Sequence, residues 1–301
     1  MDAVTDLYPS RYDNRPSLLP RQDPVIHPAE DGAAVKAPLD AEALAAFDRD
    51  GYLFLDAYLD GTTVEALTAE MAALWREAAE SDEERVIREP GGDAVRSIFA
   101  IHRSSAVFGA LAADPRLAGV AMQILGGPVY IHQSRINYKP GFDGKEFYWH
   151  SDFETWHMED GMPRMRALSM SVALTDNTPH NGPLMVVPGS HRHYVTCIGE
   201  TPEDHYKQSL RRQRYGVPDQ DSLTRLVEQG GIAAPTGRAG SVVIFDCNMM
   251  HGSNGNITPL PRSNLFVVYN SVDNALMQPF AGTAPRPDFI ASREPEPIQP
   301  R

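Results

Sequence analysis

The sequence predicts an α+β fold whose main body is an antiparallel double-sheet roll. Apolar residues recur at helical spacing up to about residue 128 and alternate with a period of two after it. Clusters of Gly, Pro and Asn separate the alternating runs. The chain has 301 residues, 42% of them hydrophobic, and a chain of that length hides roughly three quarters of its unfolded surface.

In chain order, Asp40–Asp48 reads as a short helix and Thr62–Ala79 as a longer one. In the second, Thr62 and Glu65 form a capping-box pattern, and Val64, Leu67, Met71, Leu74 and Ala78 follow at helical spacing. Ser104–Ala113 and Pro115–Leu125 are the next helices, the latter with Pro115 in its first turn and Gly126-Gly127 as its stop. The expected strands are Val129–Lys139, Glu146–His150, Ala167–Asp176, Leu184–Pro188, Ser241–Phe245 and Asn264–Val272. Helices come first and strands second in this reading. Segment 201–236 reads as a polar insertion with a helix near Ser222–Gln229. Prolines gather at both ends, Pro9 to Pro28 and Pro279 to Pro300. Residues 1–36 and 279–301 are therefore expected as extended or irregular arms on a single domain spanning 1–301.

Asp and Glu outnumber Lys and Arg by 40 to 27, a net charge of -13. Such a surface repels nucleic acid and anionic membrane. No apolar run approaches the ~20 residues that span a bilayer, and Met1–Arg21 carries no signal-peptide core. Cys197 and Cys247 are the only cysteines, too few for a disulfide framework or a Cys-rich zinc or iron–sulfur site. The expected compartment is the cytoplasm.

The chemistry is concentrated at His150-Ser151-Asp152. Residues two apart at a strand end point to one side, so an imidazole and a carboxylate converge. His251 follows the strand Ser241–Phe245. Two imidazoles and one carboxylate arranged facially are the ligand set of nonheme iron(II) oxygenases, and they leave coordination sites open. Arg262, eleven residues after His251, is the fixed cation that a 2-oxoglutarate enzyme needs for the distal carboxylate of its cosubstrate.

The strand faces add to this. Gln133, Arg135, Asn137 and Lys139 share one face of Val129–Lys139, opposite Tyr130, His132, Ser134, Ile136 and Tyr138. The first face meets either solvent or a polar ligand cavity, because unpartnered burial would be costly. In Ala167–Asp176 the small residues Ala167, Ser169, Ser171 and Ala173 leave room for a ligand, while Leu168, Met170, Val172 and Leu174 face the core. Three rivals stand beside the iron reading. His191 and His193 are a second candidate metal pair, without an acidic neighbour. A zinc hydrolase could use the same triad with Glu154 as its base. A noncatalytic jelly roll could bind a metal or solute alone.

The run from Phe147 to Pro163, FYWHSDFETWHMEDGMP, together with the opening Asp6-Leu7-Tyr8-Pro9-Ser10-Arg11, resembles the ectoine hydroxylases of the phytanoyl-CoA dioxygenase superfamily of iron(II)/2-oxoglutarate oxygenases. The resemblance spans nearly the whole chain. It implies a double-stranded β-helix (jelly-roll, cupin-type) core with flanking helices, in a cytoplasmic enzyme that is commonly a homodimer. The implied reaction takes ectoine, 2-oxoglutarate and O2 to 5-hydroxyectoine, succinate and carbon dioxide, within compatible-solute synthesis for osmotic and heat stress. It implies Fe(2+) ligation by His150, Asp152 and His251. Lys139, Arg262 and Asn137 are placed with 2-oxoglutarate, Arg262 being favoured over Lys139 for its distal carboxylate. Gln133, Trp156, Ser171 and Asn270 are placed with ectoine. A sister hydroxylase of another small amino-acid-like solute is the alternative. Related halogenases have a small residue where this chain has Asp152, so the carboxylate argues for hydroxylation.

Overall fold

The computed structural model describes residues 5–11, 15–29, 38–89, 93–210 and 215–301. Parts of the expected N-terminal arm and insertion, residues 1–4, 12–14, 30–36 and 211–214, lie outside them.

Twelve strands are formed among the described residues: β1 (Leu18–Pro20), β2 (Tyr52–Leu55), β3 (Val86–Arg88), β4 (Val95–Phe99), β5 (Val129–Lys139), β6 (Phe147–His150), β7 (Ala167–Ala173), β8 (Leu184–Val186), β9 (His193–Val195), β10 (Val242–Asp246), β11 (His251–Ser253) and β12 (Arg262–Ser271). Seven of them build an antiparallel sheet in the order β2-β10-β7-β12-β5-β4-β3. A smaller sheet runs β6-β11-β8, and β1 pairs with β9. The expected order of helices first and strands second is corrected here. Strands β2, β3 and β4 precede residue 128 and extend both edges of the large sheet. They have three to five residues each, too short for a period of two to stand out.

The outer face of the large sheet is apolar by alternation. Leu168, Met170 and Val172 of β7, Val242 and Ile244 of β10, and Leu265 and Val267 of β12 point to it. Helices α1 (Ala41–Asp50), α2 (Gly61–Ala79), α4 (Ala106–Ala112) and α5 (Ala118–Leu125) cover it with Phe47, Leu67, Leu74, Phe108 and Ile124. A single turn, α3 (Ile101–Ser104), precedes α4, because Ser105 breaks the expected helix and caps α4 through Phe108 N. The cap of α2 also differs from the expectation. Asp60, not Thr62, accepts from Thr63 N, and a cap of this kind contributes about 1 kcal/mol. Gly126 stops α5 at φ 77, as expected.

The other residues of the same strands point inward. Val243, Phe245 and Phe266 meet Leu184 and Val186 of β8, so the small sheet closes over the inner face of the large one. This is the double-stranded β-helix. The inner space beside that cluster is left to polar side chains and holds the site.

Candidate metal centre

Strands β6 and β11 lie side by side with His150 directly opposite His251. Cross-strand partners share a face, so the register itself brings the two imidazoles together, with ring centroids 4.2 Å apart. Immediately after β6 the chain turns into a helical segment, α6 (Asp152–Thr155), which continues as a π turn over Trp156–Asp160. Asp152, its first residue, swings back over the histidines. His150 Nε2 and His251 Nε2 stand 3.7 and 3.9 Å from Asp152 Oδ1. These three buried residues are the one group among the described residues whose His, Cys, Asp or Glu ligand atoms converge to hold a metal ion.

The residues fit iron(II). His150 Nδ1 faces Tyr148 O at 2.7 Å and His251 Nδ1 faces Met249 O at 3.0 Å. Each carbonyl fixes the tautomer with the proton on Nδ1, leaving the Nε2 lone pair for a metal. Burial, and then the neighbouring His251, push the His150 imidazole down to about 3. The ring is thus a neutral ligand. Burial opposes the charge of Asp152, but His251, His150 and Arg135 outweigh it and hold the carboxyl below its ordinary value. Ser169 Oγ donates to its second oxygen, Oδ2, at 3.2 Å.

Two cavities meet at His150, Arg135, Asn137 and Phe147. The first is cationic. Lys139, Arg262, Arg96 and His251 line it. Arg262 is buried, its Nε has no hydrogen-bond partner among the described residues, and burial alone pushes the guanidinium down to about 10. A cation left so needs an anionic guest. Lys139 Nζ donates to Ser253 Oγ at 2.9 Å and to Asn254 O. Burial, and then Arg262 and Arg96, push it down to about 7. Arg262 and Lys139 face each other in the β12–β5 register, which is why both enter one cavity. The second cavity is lined by Gln133, Trp156, Asp152, Glu159 and Arg286, among others. Gln133 Nε2 donates to Ile290 O of the C-terminal arm.

The other expected site residues fall as follows. Asn137 lines both cavities and accepts from Ser97 Oγ. Ser171 and Asn270 line neither. Ser171 Oγ accepts from Asn264 Nδ2. Asn270 Nδ2 donates to Tyr130 Oη and Asn274 O, while its Oδ1 accepts from Asn274 Nδ2. Their hydrogen bonds go to the protein, so the structure does not bring them to the cavities. The expected faces of β5 also need a correction. A bulge between the pairs Val268–Gln133 and Tyr269–Ile131 makes His132 an extra residue. Tyr130 consequently joins the face of Gln133, Arg135, Asn137 and Lys139 instead of opposing it.

Arg135, on the polar face of β5, is a further residue of the site, to which the sequence alone assigns no role. It is half-buried where the two cavities meet, over the Phe266 ring at 4.9 Å, and donates to Gln133 Oε1. Burial, the largest influence, pushes it below its ordinary value. Its position in the alternation with Gln133 and Lys139 was the available signal. The rivals lose their footing. His191 Nε2 is turned to Asp48 O and belongs to no ligand cluster among the described residues. Glu154 is taken up by Arg11 and Ser10 and offers no free base.

Comparison with known proteins agrees with this geometry. The model of the family described as Phytanoyl-CoA dioxygenase (PhyH) matches residues 47–264. A protein of Sphingopyxis alaskensis named ectoine dioxygenase is 58% identical over 290 residues, 96% of this chain and 94% of that one. One of the same name from Streptomyces coelicolor is 49% identical over 98% of both chains. The crystal structure of EctD from S. alaskensis with 2-oxoglutarate and 5-hydroxyectoine superposes with a TM-score of 0.88 at 52% identity, covering 99% of this chain and 98% of that one. The carbocyclase SnoK, at 22% identity and a TM-score of 0.64 over 86% of this chain and 94% of its own, shares the fold. The chain belongs to the phytanoyl-CoA dioxygenase family.

Proposed function

We propose that this protein is an iron(II)- and 2-oxoglutarate-dependent dioxygenase that hydroxylates ectoine to 5-hydroxyectoine, releasing succinate and carbon dioxide. The observation that carries the reading is the facial triad His150, Asp152 and His251 at the meeting of a cationic cavity and a second, mixed one. Iron(II), when bound, supplies the chemistry that couples oxidative decarboxylation of 2-oxoglutarate to oxygen insertion into a C–H bond. Everything else is done by the chain. His150 and His251 offer Nε2, and Asp152 offers a carboxylate oxygen. Arg262 takes the distal carboxylate of 2-oxoglutarate with its planar fork, and Lys139 and Asn137 stand beside it. In the second cavity Gln133 hydrogen-bonds the solute, Arg135 faces its carboxylate, and the Trp156 ring faces its amidinium. A desolvated cation–π contact contributes about 1–2 kcal/mol. The apolar cluster Leu184, Phe245 and Phe266 excludes water from the adjoining wall.

The reading places the enzyme in the cytoplasm as a homodimer with a small-molecule substrate and neither nucleic acid nor membrane as a partner. No helix among the described residues is long and apolar enough to cross a membrane. The test is anaerobic reconstitution with iron(II) and 2-oxoglutarate, then addition of oxygen and ectoine with product analysis. Absence of ectoine-stimulated succinate formation in the parent protein would remove the substrate assignment.

Two expected results arise here. Gln133→Ala and Trp156→Ala lower ectoine-dependent succinate formation about 10-fold or more while sparing iron and 2-oxoglutarate binding, since each loses a contact worth about 1–2 kcal/mol. Equal loss of ectoine-independent turnover would mean that these side chains serve the fold instead.

The second concerns protons. Lys139 sits at about 7 in the free protein, below its ordinary 10.5. A carboxylate arriving beside it favours the ammonium and raises that value. Near pH 8, 2-oxoglutarate binding therefore takes up protons, and affinity falls as pH rises through 7. Calorimetric titration in two buffers of different ionisation enthalpy reads the uptake directly, and Lys139→Met abolishes it. Buffer-independent heats in the parent would rule Lys139 out.

A further inference from the structure

Nine residues, Asp152 to Asp160, carry four buried carboxylates: Asp152, Glu154, Glu159 and Asp160. Crowding so many like charges in a dry place requires specific cations. These come from far along the sequence. Arg286, of the C-terminal arm, holds Asp160 with two bonds of 2.7 and 2.6 Å. His205, of the insertion, approaches Glu159 at 3.1 Å. Arg11, of the N-terminal arm, does more. Its Nε and Nη2 grip Glu154 at 2.9 and 2.7 Å, and its Nη1 reaches Glu159 at 2.9 Å.

Glu154 and Glu159 are five residues apart. A regular α-helix brings residues three and four apart together, whereas a π turn closes on i→i+5 pairs. The switch from α6, which carries Glu154, to the π turn at Trp156–Asp160, which carries Glu159, sets the winding that brings both carboxylates to one guanidinium. The arm in turn accepts a left-handed backbone at Arg11, φ 62, which a non-glycine residue adopts only when its surroundings impose it. Gly161, at φ 81, closes the turn where a side chain would collide with Met277 O.

We propose that Arg11 is a positioning residue for the second cavity: by spanning Glu154 in α6 and Glu159 in the π turn it fixes the junction of the two, and so the turn that presents Trp156 to the substrate. Arg11 itself lines neither cavity. Trp156 and Glu159 line the second cavity, and no residue of the turn lines the cationic one. The consequence is asymmetric. Loss of the latch disturbs the solute side and spares the cosubstrate side.

The proposal rests on the ectoine reading for its kinetic arm and is independent of it for its exchange arm. In the iron-loaded protein, Arg11→Met raises the half-saturating ectoine concentration about 10-fold or more, the scale of a lost charged hydrogen bond, with the 2-oxoglutarate requirement within about 2-fold of the parent. Arg11→Lys, which can hold one carboxylate but not fork across both, falls between the two. Hydrogen–deuterium exchange of residues 155–162 quickens in both variants while that of β7 does not. The proposal is overturned if exchange in 155–162 is unchanged. It is equally overturned if ectoine and 2-oxoglutarate requirements worsen together in step with a lowered Tm, the mark of a merely structural role. Should Arg11→Met not fold, Arg11→Lys and Glu154→Gln, whose side chain lines neither cavity, carry the same comparison. If the parent is not stimulated by ectoine, the substrate reading fails, and exchange alone decides the role of Arg11.

Discussion

Asp152→Ala is expected to abolish iron binding and, with it, turnover, while leaving the metal-free fold intact. Replacing a residue that only supports a ligand costs about 10–100-fold in metal affinity or activity, so losing the one anionic ligand exceeds that. The side chain contributes little to the fold beyond its 3.2 Å bond from Ser169. In the metal-free protein it stands near Arg135, but that guanidinium also packs over the Phe266 and Phe99 rings. His150→Ala and His251→Ala follow the same pattern. Iron content after reconstitution, measured beside Tm in the presence of a chelator, checks this. Full iron occupancy with normal turnover in any one variant would show that residue not to be a ligand.

Arg262→Met is expected to weaken cosubstrate binding and to strengthen the ligand-free fold. The apparent requirement for 2-oxoglutarate rises strongly, because a desolvated carboxylate loses its charged partner at a cost of about 2–5 kcal/mol, on the order of 30- to 4000-fold. The ligand-free protein, however, becomes more stable. Its guanidinium is buried with no counter-charge beside it among the described residues, and burial alone governs its titration. An uncompensated charge of this kind is a net cost that an apolar side chain of similar length removes. The measurements are 2-oxoglutarate dependence of turnover and Tm with and without cosubstrate. The parent gains Tm on adding 2-oxoglutarate, and the variant starts higher and gains little. A variant that is both less stable and unchanged in its cosubstrate requirement would assign Arg262 to the fold.

The sequence made the inner site legible where its chemistry depended on short spacing. His150 and Asp152 lie at a strand end two residues apart, and Arg262 comes eleven residues after His251, at the start of the strand that follows it in the chain. The long strands Val129–Lys139 and Ala167–Ala173 were equally plain, because their alternation persists over seven or more residues. What it hid was of two kinds. Short strands such as Tyr52–Leu55 hold too few residues for periodicity to register. Features set by tertiary context were invisible as well. The bulge at His132 appears only in the pairing with β12, and it alone moves Tyr130 to the other face. The reach of Arg11 to Glu154 spans 143 positions, and no local pattern announces it. Ser171 and Asn270 point to the inner face as alternation requires, yet Asn264, Tyr130 and Asn274 occupy them. Face and function separate there.

The pairing of His150 with His251 makes the metal a witness to correct folding. Strands β6 and β11 are only four and three residues long, too short to enforce their own alignment by backbone bonds alone. Slipping one strand by a single position turns its side chains to the opposite face. A slipped molecule would therefore carry all three ligating residues in its sequence and yet present no site. Iron would bind only the aligned form, and by mass action would draw the population toward it. Loading the cofactor would thus also select the aligned strands.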